Sequence, residues 1–183
     1  MGRWCIFGLV IGAAAVCVAV VAIAAYSVLL HVHIAVDEAS LTRFELVEAS
    51  PATPTAALAY NLSLTLTVRN PNWAITIRNR KKLEAAYTFD GQVFDRVLVA
   101  GKGDRQGPKK TRVYRLAASS AAAAVPTLGN AGAAAFREQN RTGFFEVEVK
   151  LTGRFSYTAR VTKCDLDATC PLKMHLLFGY KCE

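Results

Sequence analysis

Hydrophobic and polar positions follow two different patterns along this chain, and each predicts its own kind of structure. From Trp4 to Leu30 the sequence reads WCIFGLVIGAAAVCVAVVAIAAYSVLL, without a charged residue. A helix of roughly 20 apolar residues crosses a bilayer core, and this run exceeds that length. Lipid offers the backbone no hydrogen-bond partner, so the run is expected to be helical despite its many β-branched residues. The apolar region of a cleaved signal peptide is only about 7–15 residues long, so the run is read as an uncleaved signal anchor.

Beyond residue 57 the pattern becomes alternation. Tyr60, Leu62, Leu64, Leu66 and Val68 interleave with Asn61, Ser63, Thr65, Thr67 and Arg69. That is the period-two signature of a strand with one buried and one wet face. Similar alternation through Trp73–Ile77, Leu83–Phe89, Phe145–Leu151 and Phe155–Val161 predicts further strands. Asp90-Gly91 supplies a two-residue hairpin turn, and Asn70-Pro71-Asn72 ends the clearest strand. There Pro71 has a fixed φ and no N–H, its ring pushes Asn70 out of the helical region, and Asn72 tolerates a left-handed turn.

The expected organisation is therefore a short tail (1–3), an anchor (4–30), a membrane-proximal segment (31–57) and a β-sandwich domain (58–183). Leu41, Phe44 and Leu46 mark a candidate first strand in the membrane-proximal segment. The SPATPTAA stretch that follows reads as a loop, and so does the basic run Arg78–Lys82. Gly153 is expected to open a turn or bulge, and Met174 to Phe178 to add an edge strand. The alanine-rich region predicts a short helix over Ala131 to Gln139, with Asn140 to Gly143 forming a turn.

Composition and charge orient the chain. Its 183 residues carry a formal net charge of +8, which favours acidic surroundings such as cell-wall polysaccharide or anionic lipid headgroups. Arg3 precedes the anchor, while Asp37, Glu38, Glu45 and Glu48 outnumber Arg43 after it. With so short a tail, the simplest arrangement keeps the N-terminus in the cytoplasm and the domain outside. Two sequons, Asn61-Leu62-Ser63 and Asn140-Arg141-Thr142, agree with an outside domain, as do Cys164, Cys170 and Cys182, which an oxidising compartment could pair. Cys164 and Cys170 would close a small loop, although spacing does not settle the connectivity.

Within the anchor, Gly8 and Gly12 form a GxxxG face suited to helix dimerisation. Cys5 is a candidate for S-acylation or simply a small apolar residue entering the helix. His31 and His33 share a strand face but have no third ligand, and are read as interfacial residues closing the anchor. No GxSxG elbow, HExxH, P-loop or Rossmann glycine pattern is present. His175 is the single histidine beyond that pair. No enzyme, cofactor, metal site or nucleic-acid partner is expected.

An apolar anchor, a strand ending in Asn70-Pro71-Asn72, a Gln106-x-x-Lys109-x-Thr111 segment and late strands closing on Lys163-Cys164-Asp165-Leu166 follow one another in this chain. That order resembles the plant late embryogenesis abundant group-two domain, in its membrane-anchored branch of harpin-induced and non-race-specific disease-resistance-like proteins. The resemblance implies an all-β, fibronectin-III/immunoglobulin-like sandwich at the plasma membrane, serving defence and abiotic stress without catalysis. The alternative is a lipid-binding or membrane-contact protein using an apolar groove between the sheets.

Overall fold

The apolar run forms the expected helix. In the computed structural model, residues 2–27, 29–50, 53–120, 126–158 and 163–175 are described. Helix α1 (Gly2–Ser27) is 26 residues long, about 39 Å at 1.5 Å per residue. Its segment Ile6–Ala24 has a mean hydropathy of 2.9 and none of it is buried. The helix is thus long and apolar enough to cross a membrane.

Everything after it is built mainly from antiparallel strands. In chain order these are β1 (His33–Ser50), β2 (Thr53–Arg69), β3 (Ile77–Asn79), β4 (Leu83–Phe89), β5 (Gln92–Ala100), β6 (Arg105–Gln106), β7 (Thr111–Ser119), helix α2 (Asn130–Thr142), β8 (Phe144–Tyr157) and β9 (Lys163–His175). One sheet has the order β1-β2-β7. In the other, β5-β4-β8-β3-β6, the long β8 pairs with β4 and then β3 along one edge and with β9 along its other edge. The inward faces of the two sheets bury a shared core that includes Leu41, Leu62, Leu64, Leu66, Tyr87 and Val149. Alternate residues can bury an apolar face only if a second layer covers it, and here each sheet covers the other.

Several expectations hold in detail. The alternating face of β2 is buried at Tyr60, Leu62, Leu64, Leu66 and Val68. Asp90 (φ 47°) and Gly91 (φ 73°) both adopt positive φ between β4 and β5, as a type I′ hairpin turn requires.

Others are corrected. The segment 31–57 is part of the sandwich: β1 pairs with β2 from His33↔Arg69 to Ser50↔Thr53, and β2 begins at Thr53 where a loop was expected. The buried positions of β1 are Val36, Ala39, Leu41 and Phe44. Their spacing of three, two and three arises because register shifts fall between Val36 and Glu38 and between Leu41 and Arg43. Each extra residue interrupts the period of two.

The stretch from Trp73 to Thr76 is not a strand, and regular pairing resumes at Ile77. The basic run therefore begins inside β3 rather than in a loop. Gly153 opens no turn, because β8 runs unbroken from Phe144 to Tyr157. A Cβ there would lie 3.0 Å from Leu83 Cδ1, so the glycine serves close approach of β4's first residue. Asn140 lies in the last turn of α2, and Gly143 (φ 74°) is the left-handed residue that ends the helix.

Candidate functional site

Asn70, Pro71 and Asn72 do more than end a strand. All three are buried, with Asn70 at 0% and Asn72 at 1% exposure. A buried amide is costly unless its hydrogen bonds are made, and these are made in full. Asn70 Nδ2 donates to the carbonyls of Ile75 (2.8 Å), Gly107 (2.9 Å) and Gln106 (3.3 Å). Its Oδ1 accepts from the Asn72 backbone N–H (3.1 Å) and from Asn72 Nδ2 (2.9 Å). One side chain thereby ties the end of β2, the irregular Trp73–Thr76 turn and the β6–β7 connection into a single knot. The bond to Ile75 O closes the turn, which explains why the expected strand is missing there.

The Gln106-x-x-Lys109-x-Thr111 segment packs into the same knot. Gln106 Nε2 donates to Val68 O (2.9 Å) and Lys110 O (2.7 Å). Asn70 N donates to Lys110 O, and Lys109 N to Asn72 O. Lys109 Nζ lies 4.2 Å from the centre of the Trp73 ring, a cation–π contact on a side chain that is 73% exposed.

Asn72 carries the knot outward to the chain leaving α1. Leu30 N donates to Asn72 Oδ1 (2.8 Å), and Asn72 Nδ2 donates back to Leu30 O (2.9 Å). The amide thus treats Leu30 as a neighbouring strand would, satisfying its donor and its acceptor together. Leu29 and Val32 pack against the core on either side of this joint. Leu30 and Trp73 are the site residues that sequence reasoning did not single out; the adjacency of Trp73 to the asparagine turn was the available signal.

The remaining candidates lie elsewhere. Asn61 is exposed on the outer face of β2, opposite Arg43 and Ser119, and Asn140 is exposed on α2. Both asparagines are open to modification. A methyl group in place of the Gly8 or Gly12 hydrogen would meet no atom within 4 Å, so their helix face is open. Cys5 lies in α1, but its side chain is outside the described residues, as are Cys182, Ala159, Val161 and residues 176–178.

Cys164 and Cys170 are not the ends of a loop. Both lie on β9, six residues apart, which separates their Cα atoms by roughly 20 Å in an extended strand. A disulfide spans less than about 7 Å between Cα atoms, so the expected pairing of these two is excluded. The period-two signal was present here too, in Cys164, Leu166, Ala168, Cys170, Leu172 and Met174.

Asp165 and Asp167, on the opposite face of β9, each meet a cation of β8: Arg154 and Lys150 respectively, while Lys173 meets Glu146. The hydrogen bond from Arg154 holds the Asp165 carboxyl below the usual carboxylate range. These are cross-strand pairs that fix register. At the apolar groove considered between the sheets, the cavity lined by Val32, Val68, Ile77, Leu83 and Phe155 holds about 10 Å³, room for about one water.

Fold and site together define an all-β, two-sheet sandwich joined through an asparagine knot to the chain that leaves an apolar N-terminal helix. No family model matches the sequence, and no curated protein matches it. Among solved structures, the chain is similar to the "X-ray structure of Northeast Structural Genomics Consortium target SoR45". That likeness has a TM-score of 0.45 and 14% identity, over 79% of this chain and 86% of that one. The "Crystal structure of protein from Archaeoglobus fulgidus" is similar at a TM-score of 0.35 and 11% identity, over 75% of this chain and 100% of that one.

Proposed function

We propose that this chain is a single-pass plasma-membrane protein that holds its sandwich on the extracellular side and acts there without catalysis, by binding. The observation that carries the reading is α1, whose apolar Ile6–Ala24 segment is left wholly unburied by the rest of the chain. Exposed apolar surface on that scale is stable in lipid and not in water. The two hydrogen bonds between Asn72 and Leu30 support it further, because they tie the sandwich to the chain three positions beyond the last residue of the helix. The resemblance to the late embryogenesis abundant group-two proteins adds the biological setting: response to pathogens and to abiotic stress.

The test is topological. The full chain, expressed in plant cells, should resist carbonate extraction from the plasma membrane. It should also show a glycosidase-sensitive mobility shift that disappears in an Asn61→Gln, Asn140→Gln double variant. Release by carbonate would refute the anchor. A chain that stays in the membrane but is digested by protease added from the cytosolic side would refute the extracellular placement.

A further inference from the structure

The end of the sandwich that carries the asparagine knot has a surface of unusual composition. Trp73 projects from it with 73% of its surface exposed, and Lys109 lies over its ring. Arg69, Lys110 and Arg112 are exposed on the adjoining ends of β2 and β7, brought together by the pairs Arg69↔Thr111 and Val68↔Arg112. Lys163 joins them at the start of β9. The stretches that build this end, residues 29–36, 68–78, 105–114, 155–158 and 163–164, contain no Asp or Glu, while Asp37, Asp104 and Asp165 border it. Asp165 is paired with Arg154 and Asp104 lines the same small cavity as Arg105 and Arg112, so cations still outnumber acids here. The opposite end carries Asp90, Glu138, Glu146 and Glu148 alongside Arg137, Arg141 and Lys173, so its charges nearly balance and the excess of positive charge lies at the end that holds the knot.

We infer that this basic, tryptophan-bearing end is a docking face for anionic lipid headgroups of the leaflet from which α1 emerges. The inference rests on the reading of α1 as a membrane anchor. Its geometric basis is the joint at Leu30. Leu30 lies three positions beyond Ser27, the last residue of α1, a reach of at most about 10 Å. Asn72 grips Leu30 from both sides, and Trp73 is the next residue along. The headgroup region adds only about 5–8 Å to each side of the hydrocarbon core. Trp73 is therefore held beside that layer by the chain itself.

The chemistry fits the location. Tryptophan is favoured at the membrane–water interface, where its ring meets an apolar and a polar medium at once. Lysine and arginine beside an anionic surface add attraction that fades within a Debye length. Lys109, whose ammonium lies over the Trp73 ring, places its charge beside the same surface. Because α1 already confines the sandwich to the surface, the contact sets the tilt of the domain rather than its affinity for the membrane.

The full-length chain carrying Trp4→Phe, which leaves Trp73 as its only tryptophan, provides the test. It is reconstituted into nanodiscs of phosphatidylcholine alone or of phosphatidylcholine with phosphatidylserine. In the anionic discs Trp73 emission should shift to the blue, lose accessibility to acrylamide and be quenched by lipids brominated near the headgroup end of the acyl chain. High salt, or Lys109→Gln with Lys110→Gln, should reverse these changes. Removing two charges should lower the docked-to-undocked ratio roughly 25-fold, at about fivefold per charge. Equal acrylamide access in both kinds of disc, with no bromolipid quenching, would overturn the docking face while leaving the anchor intact. Loss of the chain from the discs on carbonate washing would instead refute the anchor, and the docking face with it.

Discussion

The two ends of the sandwich are closed by different physics. Beside α1, the gap between the sheets is sealed by amides: Asn70, Asn72 and Gln106 bond to the backbone of β2, of both connecting turns and of Leu30. At the far end it is sealed by rings. Phe44 lies 4.9 Å from Phe145, 5.3 Å from Phe89 and 5.6 Å from Phe136 of α2, centroid to centroid. Tyr60 and Phe94 extend the cluster. Ring packing is only weakly directional and tolerates exchange of one apolar group for another of similar size. An amide knot is strongly directional, and each of its buried donors and acceptors needs a polar partner in place. The end that must hold a defined geometry relative to the helix is the one built from directional bonds.

Four substitutions at two positions probe that contrast, measured by unfolding of the full chain in detergent micelles. Phe44→Ala should have the largest effect, a loss of about 3–5 kcal/mol, as for other buried aromatic truncations. Phe44→Leu should recover more than half of it, since α2 and the neighbouring rings can close around the smaller side chain. Asn70→Ala should cost about 2–3 kcal/mol by stranding buried carbonyls and an N–H. Here the near-isosteric Asn70→Asp should offer no rescue, because it sets a carboxylate oxygen against the carbonyls of Ile75 and Gly107. Equal recovery by the conservative variant at both ends would show that the knot is ordinary packing.

The smallest effect tests an exception within the aromatic end. Tyr87 Oη is buried with no hydrogen-bond partner among the described residues, and burial pushes its phenol well above the ordinary range. Removing the hydroxyl in Tyr87→Phe should leave stability unchanged or raise it by up to about 1 kcal/mol. A clear loss of stability would mean that the hydroxyl is bonded and that this end also relies on direction.

How much of this was legible depended on whether a period survived along the chain. The Tyr60–Arg69 part of β2 and the Phe145–Leu151 part of β8 keep alternation and could be read residue by residue, as could the positive-φ turn at Asp90-Gly91. β1 could not, because its bulges displace Val36, Ala39, Leu41 and Phe44 from a period of two. β9 carried a readable alternation, but its two cysteines suggested a closed loop, and only the pairing of all thirteen residues with β8 excludes it. Asn70-Pro71-Asn72 was recognisable as a strand end. Its partners Gln106 and Leu30 lie 36 and 42 residues from Asn70 and Asn72 respectively, and no local pattern connects them.

The sequence by itself determined the apolar helix, the dominance of β structure and the strand end at the asparagine turn, because each depends on composition or period within a few residues. Tertiary structure alone decided that residues 33–57 belong to the sandwich and that Cys164 and Cys170 lie far apart. It also decided that Asn72 grips the chain leaving the helix, and that Lys109 comes to lie over Trp73. Those outcomes depend on which distant backbone groups and charges become neighbours, and that is set only when the two sheets close on one another.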